Sequence, residues 1–366
     1  MPKKEELSIK VEKVRDFMDR NGYAGALFGT QHNFSWLTCG GDDQIVHGTE
    51  LGLVQILITK DRTLLITNNI EMPRVTAEET SDLPLEKAEY VWTEGSAEEK
   101  VKEAMGGGKL AADFDFPGAV NEAAPLSLLR VPLLDGEVER YRKLAGMCTS
   151  VMEGTMREIA PGMSEFEIQG LLGGKLLALN IIPIVLLVGT DERIINYRHP
   201  MPTEKKLNKY CMAVICAQRW GMVLNMSRLV HFGPLSGDIE KRYDALLRVD
   251  MAYTTATKPG NSLEDVFEAG KAEYANQGFP GEERKHFQGG TCGYLTRELS
   301  IGPVSPYVVR DGEIFAHCPS ITGTKTEDSI MIKNGKYEVL TRSKEWPSRT
   351  VEYGGVSLER PEILIR

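Results

Sequence analysis

The chain has 366 residues, more than one compact core usually organises, and its 42% hydrophobic and 26% charged residues are ordinary for a globular protein in water. A formal charge of −9 offers little to nucleic acid or an anionic membrane, both of which favour basic patches, so neither is expected as a partner. Six cysteines, at 39, 148, 211, 216, 292 and 318, form no C-x-x-C pair and read as buried thiols. With no apolar signal core in MPKKEELSIKVEKV and no apolar run of about 18 residues, a cytoplasmic protein is expected.

Leu7, Val11, Val14, Phe17 and Met18 recur at helical spacing and predict a helix over 5–21, ended by Asn21-Gly22. GALFGT reads as a strand. LVQILIT and LLITNN, joined by Lys60-Asp61-Arg62, read as a hairpin. A helix near 96–106 stops at Gly106-Gly107-Gly108, and KLAADFD follows as a short strand. Together these make an α/β domain over 1–134. From 135 the pattern changes. EVERYRKLAGMCTSVMEGTMREI reads as a long helix, and Ser164 with Glu167 is a capping box for the next one, EFEIQGLLGGKLLAL. IIPIVLLVG, CMAVICA and MVLNMSRLVHFG read as strands, 238–257 and 262–276 as helices, and glycine-rich strands run from 288 to the end. Long helices on a mostly antiparallel sheet predict an α+β second domain over 135–366.

His32, His47 and His231 suit structural, hydrogen-bonded roles. His286 and His317 fall in glycine- and proline-rich turns, where function concentrates. His199, in NYRHPMPTEKKL, stands between two strands in a loop stiffened by Pro200 and Pro202, a setting that can present an imidazole as a general base. In TGTKTEDSIMI, Glu327 and Asp328 enter an apolar strand together. A buried carboxylate needs a metal, a substrate cation, or a neighbouring Arg or Lys.

Several motifs now stand in order: the EVERYRKLAGM helix, the His199 loop and the strand VICAQRWGMVLNMSR. The glycine turn HFQGGTCGYLTRE, the C-P-S-I-T-G segment and Glu327-Asp328 come after them. This order resembles the creatinase, prolidase and aminopeptidase P family, whose catalytic domain is the pita-bread fold, here preceded by the smaller α/β domain. Peptidases of that family hold two divalent metals with two Asp, one His and two Glu. The resemblance places those ligands at Val214, Asn225, Gly290, Cys318 and Glu327. One carboxylate of four remains, and hard divalent ions need several anionic oxygens, so neither a metal nor another cofactor is expected. Creatinase, a metal-free member, uses a histidine from a loop similar to His199-Pro200-Met201-Pro202-Thr203-Glu204-Lys205. The resemblance therefore implies a metal-independent hydrolase of a C–N bond in a small, nitrogen-rich, zwitterionic compound, such as a guanidine or a cyclic amidine. His199 is the expected base and Glu327 the clamp on a substrate cation. Arg198, Arg228 or Arg297 would balance a substrate carboxylate, with Asn225, His286, Glu298 and Cys318 lining the pocket. An Xaa-Pro peptidase with an atypical metal site and a non-enzymatic binding protein are the alternatives. The resemblance also implies a homodimer, with residues near 30–50 bordering the partner's pocket.

Overall fold

A computed structural model describes residues 1–366 and divides them into two compact units, 1–140 with 220–222, and 141–219 with 223–366. The first unit opens with helix α1 (Lys3–Asn21), whose buried Leu7, Val11, Val14, Phe17 and Met18 form one stripe. Gly22 ends it at φ 70°, a left-handed position that costs a side-chain-bearing residue more than glycine. Strand β1 (Gly25–Thr30) and helix α2 (Gln31–Leu37) follow, then the hairpin β2 (Leu51–Thr59) and β3 (Thr63–Asn68). The short turn α3 (Met72–Arg74), β4 (Glu86–Tyr90) and α4 (Ala97–Met105) come next, with the Ser96–Glu99 capping box opening α4. β5 (Leu110–Ala112), β6 (Ala119–Asn121) and the short α5 (Ala123–Ser127) complete it. The six strands form one mixed sheet in the order β4-β3-β2-β1-β5-β6. Its core gathers Leu27, Leu57, Leu64, Ile66, Val101 and Leu110.

Helix α6 (Asp135–Glu158) carries the chain from the first unit's residues into those of the second. In the second unit α7 (Glu165–Leu177) begins at the Ser164–Glu167 capping box, and β7 (Ile182–Thr190), the short α8 (Glu192–Asn196), β8 (Tyr210–Arg219) and β9 (Met222–His231) follow. Helices α9 (Gly237–Ala256) and α10 (Leu263–Asn276) precede the C-terminal strands. These are β10 (Gly289–Cys292), β11 (Leu299–Ser300), β12 (Glu313–His317), β13 (Ser320–Ile321), β14 (Thr324–Lys325), β15 (Asp328–Lys333), β16 (Lys336–Val339), β17 (Ser348–Tyr353), β18 (Val356–Pro361) and β19 (Leu364–Ile365). The two larger sheets of this unit have the strand orders β19-β9-β8-β7 and β11-β10-β12-β15-β16. Tyr210, Met212, Val214, Leu246, Tyr253, Tyr274 and Phe315 belong to the core of this unit. No helix is long and apolar enough to cross a membrane.

Candidate active site

The loop between α8 and β8 carries His199, and its conformation is held from below by one buried carboxylate. Glu165, the first residue of α7 and 0% exposed, accepts from the Thr190 N–H (2.9 Å), the Thr190 hydroxyl (2.9 Å) and Arg193 Nε (3.0 Å) through Oε1. Through Oε2 it accepts from the Thr203 N–H (2.9 Å) and the Thr203 hydroxyl (2.8 Å). Residues 190 and 203 are thus fastened to one side chain, with the His199 loop between them. Asp191 closes the far end by accepting from the backbone N–H groups of Asn208, Lys209 and Tyr210.

His199 meets His286. Their Nε2 atoms lie 3.1 Å apart, and His286 Nδ1 lies 3.1 Å from the Cys318 carbonyl oxygen. A carbonyl only accepts, so Nδ1 of His286 carries the proton and its Nε2 is a lone pair. His199 therefore donates from Nε2, and its own Nδ1 is left with the basic lone pair. Burial lowers the pKa of His199, Lys325 nearby lowers it further, and Glu327 opposes them. Burial, then Lys325, His199 and Arg198, push His286 down to about 2. Both rings are neutral at neutral pH.

Glu327 lies at the mouth of β15 with both oxygens engaged. Arg297 Nη2 donates to Oε1 at 2.8 Å, and Lys325 Nζ lies 3.1 Å from Oε2. The three side chains are 11%, 6% and 4% exposed for Arg297, Lys325 and Glu327. Of the partners a buried carboxylate can take, the structure supplies neighbouring Arg and Lys. Glu327 is therefore not a free clamp for a substrate cation, a correction to the expected role. Lys325 escaped the sequence reading, although in Lys325-Thr326-Glu327 the alternation of an extended segment puts positions 325 and 327 on one side.

The other expected residues divide. Asn225, on β9 and 0% exposed, donates from Nδ2 to Cys292 Sγ (3.2 Å), and its Oδ1 has no partner. Cys318 is buried and donates its thiol to the Phe287 carbonyl (3.2 Å); burial raises its pKa. Arg198 is held away from a substrate role by Glu282, by Ser320 Oγ (3.1 Å) and by Thr322 Oγ1 (2.9 Å). Arg228 is a second correction: it is buried against Asp328 (2.9 Å) and Glu153 (3.2 Å), while Asp328 also pairs with Arg360 (3.2 Å) and Arg360 with Asp250 (2.6 Å). That network explains the second carboxylate of Glu327-Asp328 as scaffold. Glu298 accepts from the Tyr294 and Leu295 N–H groups (2.8 and 3.2 Å), so it shapes the glycine turn. His317, expected in a functional turn, ends β12 fully buried, with Thr257 Oγ1 2.9 Å from its Nε2.

The five positions that the resemblance assigns to metal ligands do not fit a two-metal centre. Val214 is packed in the core, and a Cβ at Gly290 would fall 1.9 Å from the Leu299 carbonyl oxygen, leaving no room for a histidine on this backbone. Asn225 is neutral, Cys318 offers a soft sulfur where hard divalent ions need anionic oxygen, and Glu327 is already neutralised by two cations. No group of three or more His, Cys, Asp or Glu side chains is arranged to hold a metal ion.

Comparison with known proteins shows the lineage of this architecture. The chain is 22% identical over 217 residues to an uncharacterized peptidase of Staphylococcus aureus, a match over 57% of this chain and 61% of that protein, so it spans about six-tenths of the length of that curated relative. In fold it is similar to an Xaa-Pro dipeptidase from Bacillus anthracis, with TM-score 0.75 at 18% identity over 98% of this chain and 100% of the other. A prolidase from Pyrococcus horikoshii superposes with TM-score 0.75 at 17% identity, covering 92% and 98% of the two chains. The N-terminal domain of a FACT complex subunit from Cicer arietinum does so with TM-score 0.71 at 13% identity, covering 92% and 96%. The smaller N-terminal α/β domain and the pita-bread domain expected from the sequence are the architecture of these structures. The model of metallopeptidase family M24 matches residues 139–359, and the chain belongs to that family.

Proposed function

We propose that this M24 protein hydrolyses a C–N bond in a small substrate with an anionic group, with His199 as the base and without a bound metal. The observation that carries the reading is the His199–His286 contact of 3.1 Å, with His286 fixed by the Cys318 carbonyl. It leaves Nδ1 of His199 as a lone pair on an exposed loop residue, and His286 keeps accepting the Nε2 proton when His199 becomes an imidazolium. The base takes a proton from water, the water oxygen adds to the carbon of the C–N bond, and the same proton passes to the departing nitrogen. Lys325 and Arg297 against the single carboxylate of Glu327 leave a net positive charge, which suits a carboxylate on the substrate.

The relatives' descriptions favour a peptide substrate over a creatine-like guanidine, so short peptides head the trial. Xaa-Pro and other dipeptides, guanidino acids and cyclic amidines are offered to the protein with and without chelator, and C–N hydrolysis is followed. Turnover indifferent to chelator is the expected result. Activity that appears only with added Mn, Co or Zn overturns the metal-free reading in favour of an Xaa-Pro peptidase with unusual ligands. A second reading is a non-enzymatic binding protein, favoured by the same architecture in a FACT complex subunit domain. It is selected if none of these compounds is hydrolysed.

A further inference from the structure

The residues at the family's ligand positions enclose a side chain. Arg297 enters from the glycine turn, and its guanidinium donates from Nη2 to Glu327 Oε1 at 2.8 Å. Its Nη1 lies 3.8 Å from Cys292 Sγ, the sulfur that also receives Asn225 Nδ2 at 3.2 Å. The Cys318 thiol lies within electrostatic reach of the same guanidinium, which favours its thiolate against the effect of burial. Of the five ligand positions, 327 therefore meets Arg297 directly and 225 through Cys292, and 318 lies within the reach of its charge.

The charge balance is unusual for so covered a place. Two cations share one carboxylate, and Arg297 cannot relieve the excess by losing a proton. A guanidinium tolerates such a setting better than an ammonium because it is weakly hydrated and spreads its charge over a plane.

From this arrangement we infer that Arg297 is a built-in cation standing where the family's metals would, and that it supplies their positive charge to the reacting group. The assignment rests on the hydrolase reading for its catalytic half alone. When the water oxygen bonds to the scissile carbon, the C=O π pair moves onto oxygen, and the guanidinium offsets that negative charge. When the C=O re-forms, the C–N bond breaks and the nitrogen takes the proton held by His199. Placement of the cation and its use in catalysis are thus separate claims with separate readouts.

The placement is tested without substrate. Arg297→Ala empties a space bordered by Cys292, Cys318 and Glu327, a donor set that suits zinc. After loading and dialysis, elemental analysis should find about one zinc per chain in Arg297→Ala, far less in the parent protein, and none retained in Arg297→Ala/Glu327→Ala. Millimolar methylguanidinium should raise the melting temperature of Arg297→Ala and leave the parent unchanged. Arg297→Lys serves if the alanine variant does not fold: it keeps the charge and should neither take up zinc nor respond to methylguanidinium. A folded Arg297→Ala that neither takes up zinc nor responds to methylguanidinium overturns the placement, as does zinc uptake by Arg297→Lys. With a substrate in hand, methylguanidinium should restore turnover to Arg297→Ala. A variant that recovers stability but not turnover rejects the catalytic half and leaves the hydrolase reading intact.

Discussion

At the scale of single residues, the decisive feature is that His199 and His286 share one hydrogen between their Nε2 atoms. His199→Ala should lower turnover by ~10²–10⁴-fold, the usual contribution of a positioned base, with KM little altered. The acid limb of the rate profile should lie below the ordinary imidazole value of ~6.5, because burial and Lys325 both disfavour the imidazolium. Lys325→Met removes a repelling cation, so the His199 pKa rises and the limb moves to higher pH. A limb that stays in place in that variant argues that another group titrates. The sequence showed His199 as a candidate because a histidine followed by two prolines in a strand-to-strand loop is legible locally. Its partner was not: His286 lies 87 residues further on, and only the fold brings the two rings to 4.9 Å between centroids.

At the scale of elements, the long strands and helices formed where hydrophobic spacing placed them, because periodicity is a local property that burial then reinforces, whereas the short helix α2 (Gln31–Leu37) was not read from the sequence. The α4 and α7 capping boxes are cases in point: Ser96 with Glu99 and Ser164 with Glu167 bond reciprocally, and each needs only residues three apart. Glu165, next to one of these serines, has its effect elsewhere. It is fastened to Thr190 and Thr203, so its role depends on how α7 packs beside β7. Glu165→Ala leaves the buried Thr190 N–H without its acceptor, a loss of ~1–3 kcal/mol for each such group. Urea denaturation should register that loss, and limited proteolysis should cut between 190 and 203 faster than in the parent. Unchanged proteolysis in that loop would show that the clamp does not hold it.

At the scale of the whole molecule, acid should be the weak side. Burial holds His32 at about 3, His286 at about 2 and His317 at about 3, against an unfolded value near ~6.5. The unfolded chain binds more protons below that value, so the stability these groups contribute is present above pH ~6.5 and is lost as pH falls. The melting temperature should decline as pH drops from ~6.5 toward ~4, less steeply in His317→Asn. Assembly is the second property at this scale. Ile45, Val46, Leu51, Leu53, Ile70 and Trp92 are exposed in the first unit, and apolar residues left on a surface suit contact with another chain. We expect a homodimer, and a single-chain mass by light scattering at micromolar concentration would reject it.

The sequence alone determined the order of elements and the resemblance to a known family, because both depend on residue type and spacing along the chain. Tertiary structure decided what the surviving charges do. It buried Arg228 and Asp328 in a scaffold with Glu153, Arg360 and Asp250, and gave Glu327 to Arg297 and Lys325. A buried charge must find its counter-charge in space, and the partner in space is not fixed by distance in sequence.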